Sequence, residues 1–300
     1  MSEGRISCIL LATDGSGDAV LAARAATDLS LQTGADLHVA HIWHIPVGAW
    51  PVMPDMYSAY YELQAEEVLS EQVVYIEKLG GKVVGSHLSS RAAVADTLIH
   101  FAHEVEADLI VMGSRGAGRL RRLATGSVSE GVVHHTHIPV LMLRGGENVW
   151  PPKHIVAGED GSEPARKAEY LAAEIGKLSE ADMTLIHVYP ELPEVYEEGR
   201  RMDPRMTDDE LRRAEMELGK RAGEIQENLG KRPKIAITVG DAAASLVNTA
   251  EARGENTLVV VGSRGMGPVK RLRLGSVSTK VLRAAEGPVL VYPAGTNEES

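Results

Sequence analysis

Two stretches of this 300-residue chain set glycine, arginine and serine at the same intervals. The first reads Gly113-Ser-Arg-Gly116, then nine residues, then Gly126-Ser127; the second reads Gly262-Ser-Arg-Gly265, nine residues, then Gly275-Ser276. With glycine at 30 of 300 positions, three at fixed spacing arise by chance at roughly one position in a thousand. The chemistry such a loop suits is the cradling of a phosphate chain. Backbone amides reach an anion only where no β-carbon intervenes, and tight loops often need positive φ. A helix opening at Gly126 or Gly275 would add unpaired N–H groups and the positive end of its dipole. Ser127 and Ser276 would add hydroxyl donors. Simple turn-making is the competing reading of these glycines.

Charge supports the anion. Residues 113–127 hold Arg115, Arg119, Arg121 and Arg122 and no acid, while 262–276 hold Arg264, Lys270, Arg271 and Arg273 and no acid. The whole chain has 31 Lys plus Arg against 42 Asp plus Glu, a net charge of −11. Each loop is thus a basic island in an acidic molecule and would focus a local positive field on an anionic ligand. A solvated basic loop, or a surface for an acidic partner, is the alternative. The acidic total disfavours a chain built to grip nucleic acid or an anionic membrane. Asp14 and Asp160 follow the apolar runs 9–12 and 155–158. A carboxylate beside phosphate is repulsive, so its better partner is a ribose hydroxyl or a base N–H; the competing role is an Asx cap on the next helix.

The elements that position these residues come from a duplication. Ile9-Leu-Leu-Ala-Thr-Asp14-Gly15-Ser16 returns as Ile155-Val-Ala-Gly-Glu-Asp160-Gly161-Ser162, and Leu37-His-Val-Ala-His41-Ile42 as Met183-Thr-Leu-Ile-His187-Val188. Asp108–Gly116 matches Thr257–Gly265, and Pro139–Leu143 matches Pro288–Tyr292. The expected domains are 1–147 and 152–296, joined through the glycines and prolines near Gly145-Gly-Glu-Asn-Val-Trp-Pro-Pro152. Each unit alternates short apolar runs with longer helical patterns, the signature of an α/β, doubly wound parallel sheet buried on both faces. In the first unit strands are expected near 6–13, 36–43, 82–88, 108–113 and 139–144, and helices near 17–33, 58–79, 92–105 and 126–136. Ser16 and Ser162 read as N-caps and Gly34 as a left-handed helix end. Thr207-Asp-Asp-Glu210 reads as a capping box opening a helix that ends near Gly230. In an open parallel sheet ligands collect beyond the carboxyl ends of the strands, so Asp14 should lie near Gly113, and Asp160 near Gly262.

These residues resemble the universal stress protein family, whose ATP-binding members carry G-x2-G-x9-G-[ST]. Both copies match it, and the resemblance covers nearly the whole chain as a tandem member. It implies two five-stranded parallel sheets in the order 3-2-1-4-5, with one ATP site per unit. It places the nucleotide against Asp14 and Asp160 and the adenine on the backbone of Ile42 and Val188. The phosphates would lie on Gly113, Arg115, Gly116, Gly126, Ser127 and Val128, and on Gly262, Arg264, Gly265, Gly275, Ser276 and Val277. Any magnesium would arrive with the nucleotide. Members often pair through their last strands, so Val140–Leu143 and Val289–Tyr292 are expected to pair edge to edge as an intramolecular pseudo-dimer, with a homodimer also open. Gly240-Asp241 matches the family turn after the third strand; Ser90-Arg91 departs from it, which sets the two sites apart.

The expected function is an ATP-binding stress-response regulator acting on a protein partner. The alternatives are a slow ATPase or phosphoryl-transfer enzyme, and a nucleotide-free interaction module. No G-x4-G-K-[ST] or G-x-G-x-x-G occurs in the appropriate place, and the loops carry no carboxylate to activate water. Nine of eleven histidines lie in the first unit, among them His41, His44, His134, His135 and His137, but without ligand spacing for a metal. The segment from Trp43 to Tyr61 reads as ordinary loop packing, with a lid or partner surface as the alternative. Cys8, the single cysteine, reads as a small buried hydrophobe. No apolar run approaches the roughly 20 residues that span a bilayer, and the first residues do not read as a signal peptide, so a cytoplasmic chain is expected.

Overall fold

The computed structural model describes residues 6–43, 54–91, 93–114, 126–191, 196–197, 200–201, 208–263 and 274–294. The first unit contributes strands β1 (Cys8–Ala12), β2 (Asp36–Trp43), β3 (Val83–Ser90), β4 (Leu109–Gly113) and β5 (Val140–Leu143). Its helices are α1 (Gly17–Thr33), α2 (Pro54–Lys78), α3 (Val94–Glu104) and α4 (Ser127–His135). The second contributes β6 (His154–Gly158), β7 (Asp182–Tyr189), a short antiparallel pair β8 (Tyr196–Glu197) and β9 (Arg200–Arg201), β10 (Lys234–Val239), β11 (Thr257–Gly262) and β12 (Val289–Tyr292). Its helices are α5 (Glu163–Leu178), α6 (Asp208–Leu229), α7 (Ala242–Glu251) and α8 (Ser276–Ala284).

Ten strands form one sheet in the order β10-β7-β6-β11-β12-β5-β4-β1-β2-β3. Each half is parallel throughout and follows the expected 3-2-1-4-5 order. The halves meet where β5 and β12 pair antiparallel, with Leu290 opposite Leu141 and Val291 opposite Val140. That pairing removes two open edges and leaves β3 and β10 as the outer strands. Alternation sends Ile9 and Leu11 to one face and Leu10 and Ala12 to the other. The core on each face gathers residues from both units, Leu141 with Ile155 and Leu290 on one side, Met142 with Val156 and Val289 on the other. The apolar interior therefore runs through the junction.

Local signals explain the helix ends. Ser16 and Ser162 cap α1 and α5, each hydroxyl accepting from the N–H three residues on, at 3.2 and 3.3 Å. Gly34, at φ +75°, closes α1 in the left-handed conformation glycine tolerates best. One expectation fails. The proline-rich segment up to Tyr61 is not all loop, because α2 already begins at Pro54. Proline's fixed φ suits a first helical turn, where its missing N–H costs nothing. Residues 44–53 and Thr207 lie outside the described residues.

Candidate functional site

β1 and β4 lie side by side, Ala12 opposite Met112. The chain leaves β1 toward β2 on one side, while β4 is flanked by β5 on the other. Beyond their carboxyl ends lies the crevice that such a reversal creates. Asp14 is exposed at its mouth. One carboxylate oxygen accepts the Ser16 N–H at 3.0 Å, and Gly15 takes φ +73° to allow the turn. Asp160 repeats this with Ser162 at 3.0 Å and Gly161 at +80°. The Asx role is thus present in both copies, and it fixes each carboxylate at the crevice. Behind them, His41 Nδ1 meets the Thr13 carbonyl oxygen at 2.7 Å and His187 Nδ1 meets that of Glu159 at 2.9 Å. A carbonyl only accepts, so each ring donates from Nδ1. The register of β1 with β2 and of β6 with β7 brings Ile42 level with Asp14 and Val188 level with Asp160. Ile42 is buried and Val188 half-buried.

Gly113 and Gly262 have a steric role that the spacing did not disclose. A β-carbon at Gly113 would stand 2.8 Å from Ala19 N and Asp18 C. At Gly262 it would stand 2.6 Å from Ala165 N. Both glycines let the first turn of α1 or α5 abut the strand end. The next residue, Ser114 or Ser263, is fully buried and anchors the loop. Ser114 O accepts Gly126 N–H at 2.8 Å and the Ser129 hydroxyl at 2.9 Å. Ser263 O likewise accepts Gly275 N–H and the Ser278 hydroxyl. Each loop is pinned shut at its base by serines that sequence reasoning passed over. Their recurrence beside each glycine was the available signal.

Gly126 and Gly275 are the N-caps of α4 and α8, extended at ψ 146° and 163°, and neither has a side-chain cap. Ser127 and Ser276, at the first helical position, are exposed, as is Val277, while Val128 is half-buried. An uncapped helix N-terminus offers N–H groups and a positive dipole end to an anion. Arg115, Gly116, Arg264 and Gly265 lie outside the described residues. The structure also supplies a carboxylate at one loop: Asp18 accepts the Ser114 hydroxyl at 3.1 Å. The duplicated position in the second unit is Pro164.

The two crevices differ further. In the first unit the Thr13 hydroxyl donates to Gln72 on α2 at 2.7 Å. In the second, Glu159 replaces Thr13, and Arg221 stands on α6 where Gln72 stands on α2, one turn from Leu218 as Gln72 is from Leu69. Arg221 reaches the fully buried Glu169 at 2.6 Å, lies over the Tyr170 ring, and also bonds Glu224. Burial pushes the Glu169 carboxyl up, against the pull of Arg221. A cleft of about 460 Å³ opens here, lined by Asp160, Glu159 and His187 on one side and by α6 on the other. The hydrogen bond that His187 donates to the Glu159 carboxylate raises the pKa of His187 despite its burial. Burial alone would raise Glu159, but hydrogen bonds from His187 and the Gly161 N–H outweigh it and lower its pKa. At the start of α7, Asp241 caps Ala244 at 2.9 Å and pairs with Lys280; the matching α3 has Ala93 as its N-cap, with no side-chain cap. Among the described residues, no three His, Cys, Asp or Glu are placed to hold a metal ion. No helix among them is long and apolar enough to cross a membrane.

A family model described as the universal stress protein family matches residues 7–144 and again 152–293. The universal stress protein Rv2623 of Mycobacterium tuberculosis is 30% identical over 307 residues, covering 97% of this chain and 98% of the relative. Another from that organism, Rv2005c, is 29% identical over 296 residues, covering 94% and 96%. The crystal structure of a universal stress protein from Archaeoglobus fulgidus superposes with a TM-score of 0.67 at 25% identity, covering 96% of this chain and 98% of the other.

Proposed function

The chain belongs to the universal stress protein family, and on that premise we propose that each unit binds one ATP and that its occupancy acts as a regulatory switch. The observation that carries this reading is the pair of helix N-termini at Gly126 and Gly275, uncapped by any side chain and opening beside glycine loops rich in arginine. The phosphates would take the N–H groups of Ser127 and Val128, or of Ser276 and Val277, with Arg115, Gly116, Arg264 and Gly265 completing the two cradles. Asp14 and Asp160, held by their turns, suit ribose hydroxyls. The backbone of Ile42 and Val188 suits the adenine edge. Magnesium would enter with the nucleotide. Ordering of the basic loops on binding would change a surface read by a protein partner in the cytoplasm.

The decisive measurement is calorimetric titration with ATP, preceded by the 260 to 280 nm ratio and the mass of any ligand released from purified protein. Ser127→Asp and Ser276→Asp put a carboxylate where phosphate would sit while favouring the helix dipole. Each should remove one of two sites without loss of folding. Unchanged ATP affinity in the folded double variant would overturn the proposal. Slow hydrolysis gains support from one observation, Asp18 beside the first loop. It requires sustained turnover that Asp18→Asn abolishes while binding persists.

A further inference from the structure

His38 and His87 lie 49 positions apart in the chain and meet in the fold. His38 stands on β2 and His87 on the outer strand β3. They share a sheet face, because His38 alternates with Ala40 and Ala40 stands opposite His87. His38 Nδ1 and His87 Nε2 are 3.2 Å apart. Both residues are half-buried, and the His87 ring lies against Phe101 of α3 at 5.1 Å between centroids.

Two backbone features aim these rings at each other. The register of β2 with β3 shifts at this point: Leu37 faces Val83 and His38 faces Gly85, so Val84 is left over as a bulge. Bulges of this kind re-aim side chains. Gly85 then supplies a gap. A β-carbon there would stand 2.6 Å from His38 Nδ1 and 3.5 Å from His87 Nε2. Gly85 does not take a positive φ, so its missing side chain serves close approach rather than a turn. The second unit has neither feature. There β7 and β10 pair without a shift, and Thr184 and Ala236 occupy the matching positions.

We propose that His38 and His87 together chelate a late divalent transition-metal ion, copper(II) most tightly. At metal–nitrogen distances of about 2.0–2.1 Å, two neighbouring ligands stand about 2.9 Å apart on a right-angled centre and about 3.4 Å apart on a tetrahedral one. The observed gap falls between these limits. Imidazole nitrogens select copper, nickel and zinc over magnesium and calcium, which take oxygen, and copper(II) heads the affinity order. One ring now donates its hydrogen to the other; on binding it moves that hydrogen to its far nitrogen, leaving both facing lone pairs to the ion. Burial and the neighbouring His38 lower the pKa of His87, against a smaller opposing effect of Glu104, so its ring is neutral as a ligand must be. Among the described residues no three His, Cys, Asp or Glu are placed to hold a metal. The remaining positions on the ion therefore go to water, and the ion is exchangeable.

The test is titration of the whole protein with copper(II), read by calorimetry and by electron paramagnetic resonance. The tightest site should show two nitrogen ligands. His38→Gln or His87→Gln should weaken it about tenfold or more and leave one nitrogen. Gly85→Ala keeps both histidines but displaces the His38 ring, and should weaken binding by a similar factor. His135→Gln, at an exposed histidine of α4, should leave it unchanged. Thermal unfolding checks that each variant folds. No saturation by roughly 1 mM copper(II), or full affinity in any of the first three variants, would overturn the proposal.

Discussion

At Gly113 the limiting interaction is backbone against backbone. An added methyl meets Ala19 N and Asp18 C at 2.8 Å, and no rotamer change can relieve it. Gly113→Ala should therefore destabilise the protein by about 1–3 kcal/mol, read as a lower urea midpoint, whether or not nucleotide is present. A purely ligand-contacting glycine would instead lose affinity with little change in stability. The second residue-scale prediction concerns His187 and Glu159, 3.3 Å apart. The folded pKa of His187 is raised from 6.5, so its contribution is present below that value and fades as pH rises through the higher folded pKa. Glu159 is lowered from 4.5, so its contribution is present above that value and fades as pH falls through the lower folded pKa. The stability lost in His187→Gln should be largest between about pH 4.5 and 6.5 and shrink above neutrality. A pH-independent difference in urea unfolding would refute the coupling. The first-unit counterpart His41 bonds the carbonyl of Thr13, whose side chain carries no charge.

At the scale of elements, N-caps and loop pins make separable contributions. Ser162→Ala removes an α5 cap at a cost of about 1 kcal/mol, a loss thermal unfolding should register without altering nucleotide binding. Most elements could be read from the chain because unbroken apolar runs such as Leu109–Met112 occur only where both faces of a strand are covered. The start of α2 could not, since Pro54 closes a proline-rich stretch and also suits a first helical turn. Of the candidate site, the glycine spacing and the two aspartates were legible. The anchoring by Ser114 and Ser263 was not, because its partners lie on the following helix and the neighbouring strand. The Arg221–Glu169 contact spans 52 residues, and no local pattern announces that two charges will meet in the core. Asp18 is an acid in the first turn of α1, and only the fold carries it to Ser114.

For the molecule as a whole, the junction of β5 and β12 sets the behaviour. A chain ending after the first unit would expose β5, an apolar strand with all four residues buried here. Such a fragment should self-associate in size-exclusion chromatography, and the second unit added in trans should compete for that edge. A monomeric first half would show that its edge is protected in some other way. Because this junction is antiparallel, the carboxyl ends of the two parallel halves face opposite poles. Four-residue strands at about 3.3 Å per residue separate those poles by roughly 13 Å at least, beyond a Debye length of about 8 Å in physiological salt. Two polyanionic ligands on one chain would therefore scarcely repel each other. A rigid client seated over one mouth could not touch the other, so a reader of both would have to wrap around the edge or come as a pair.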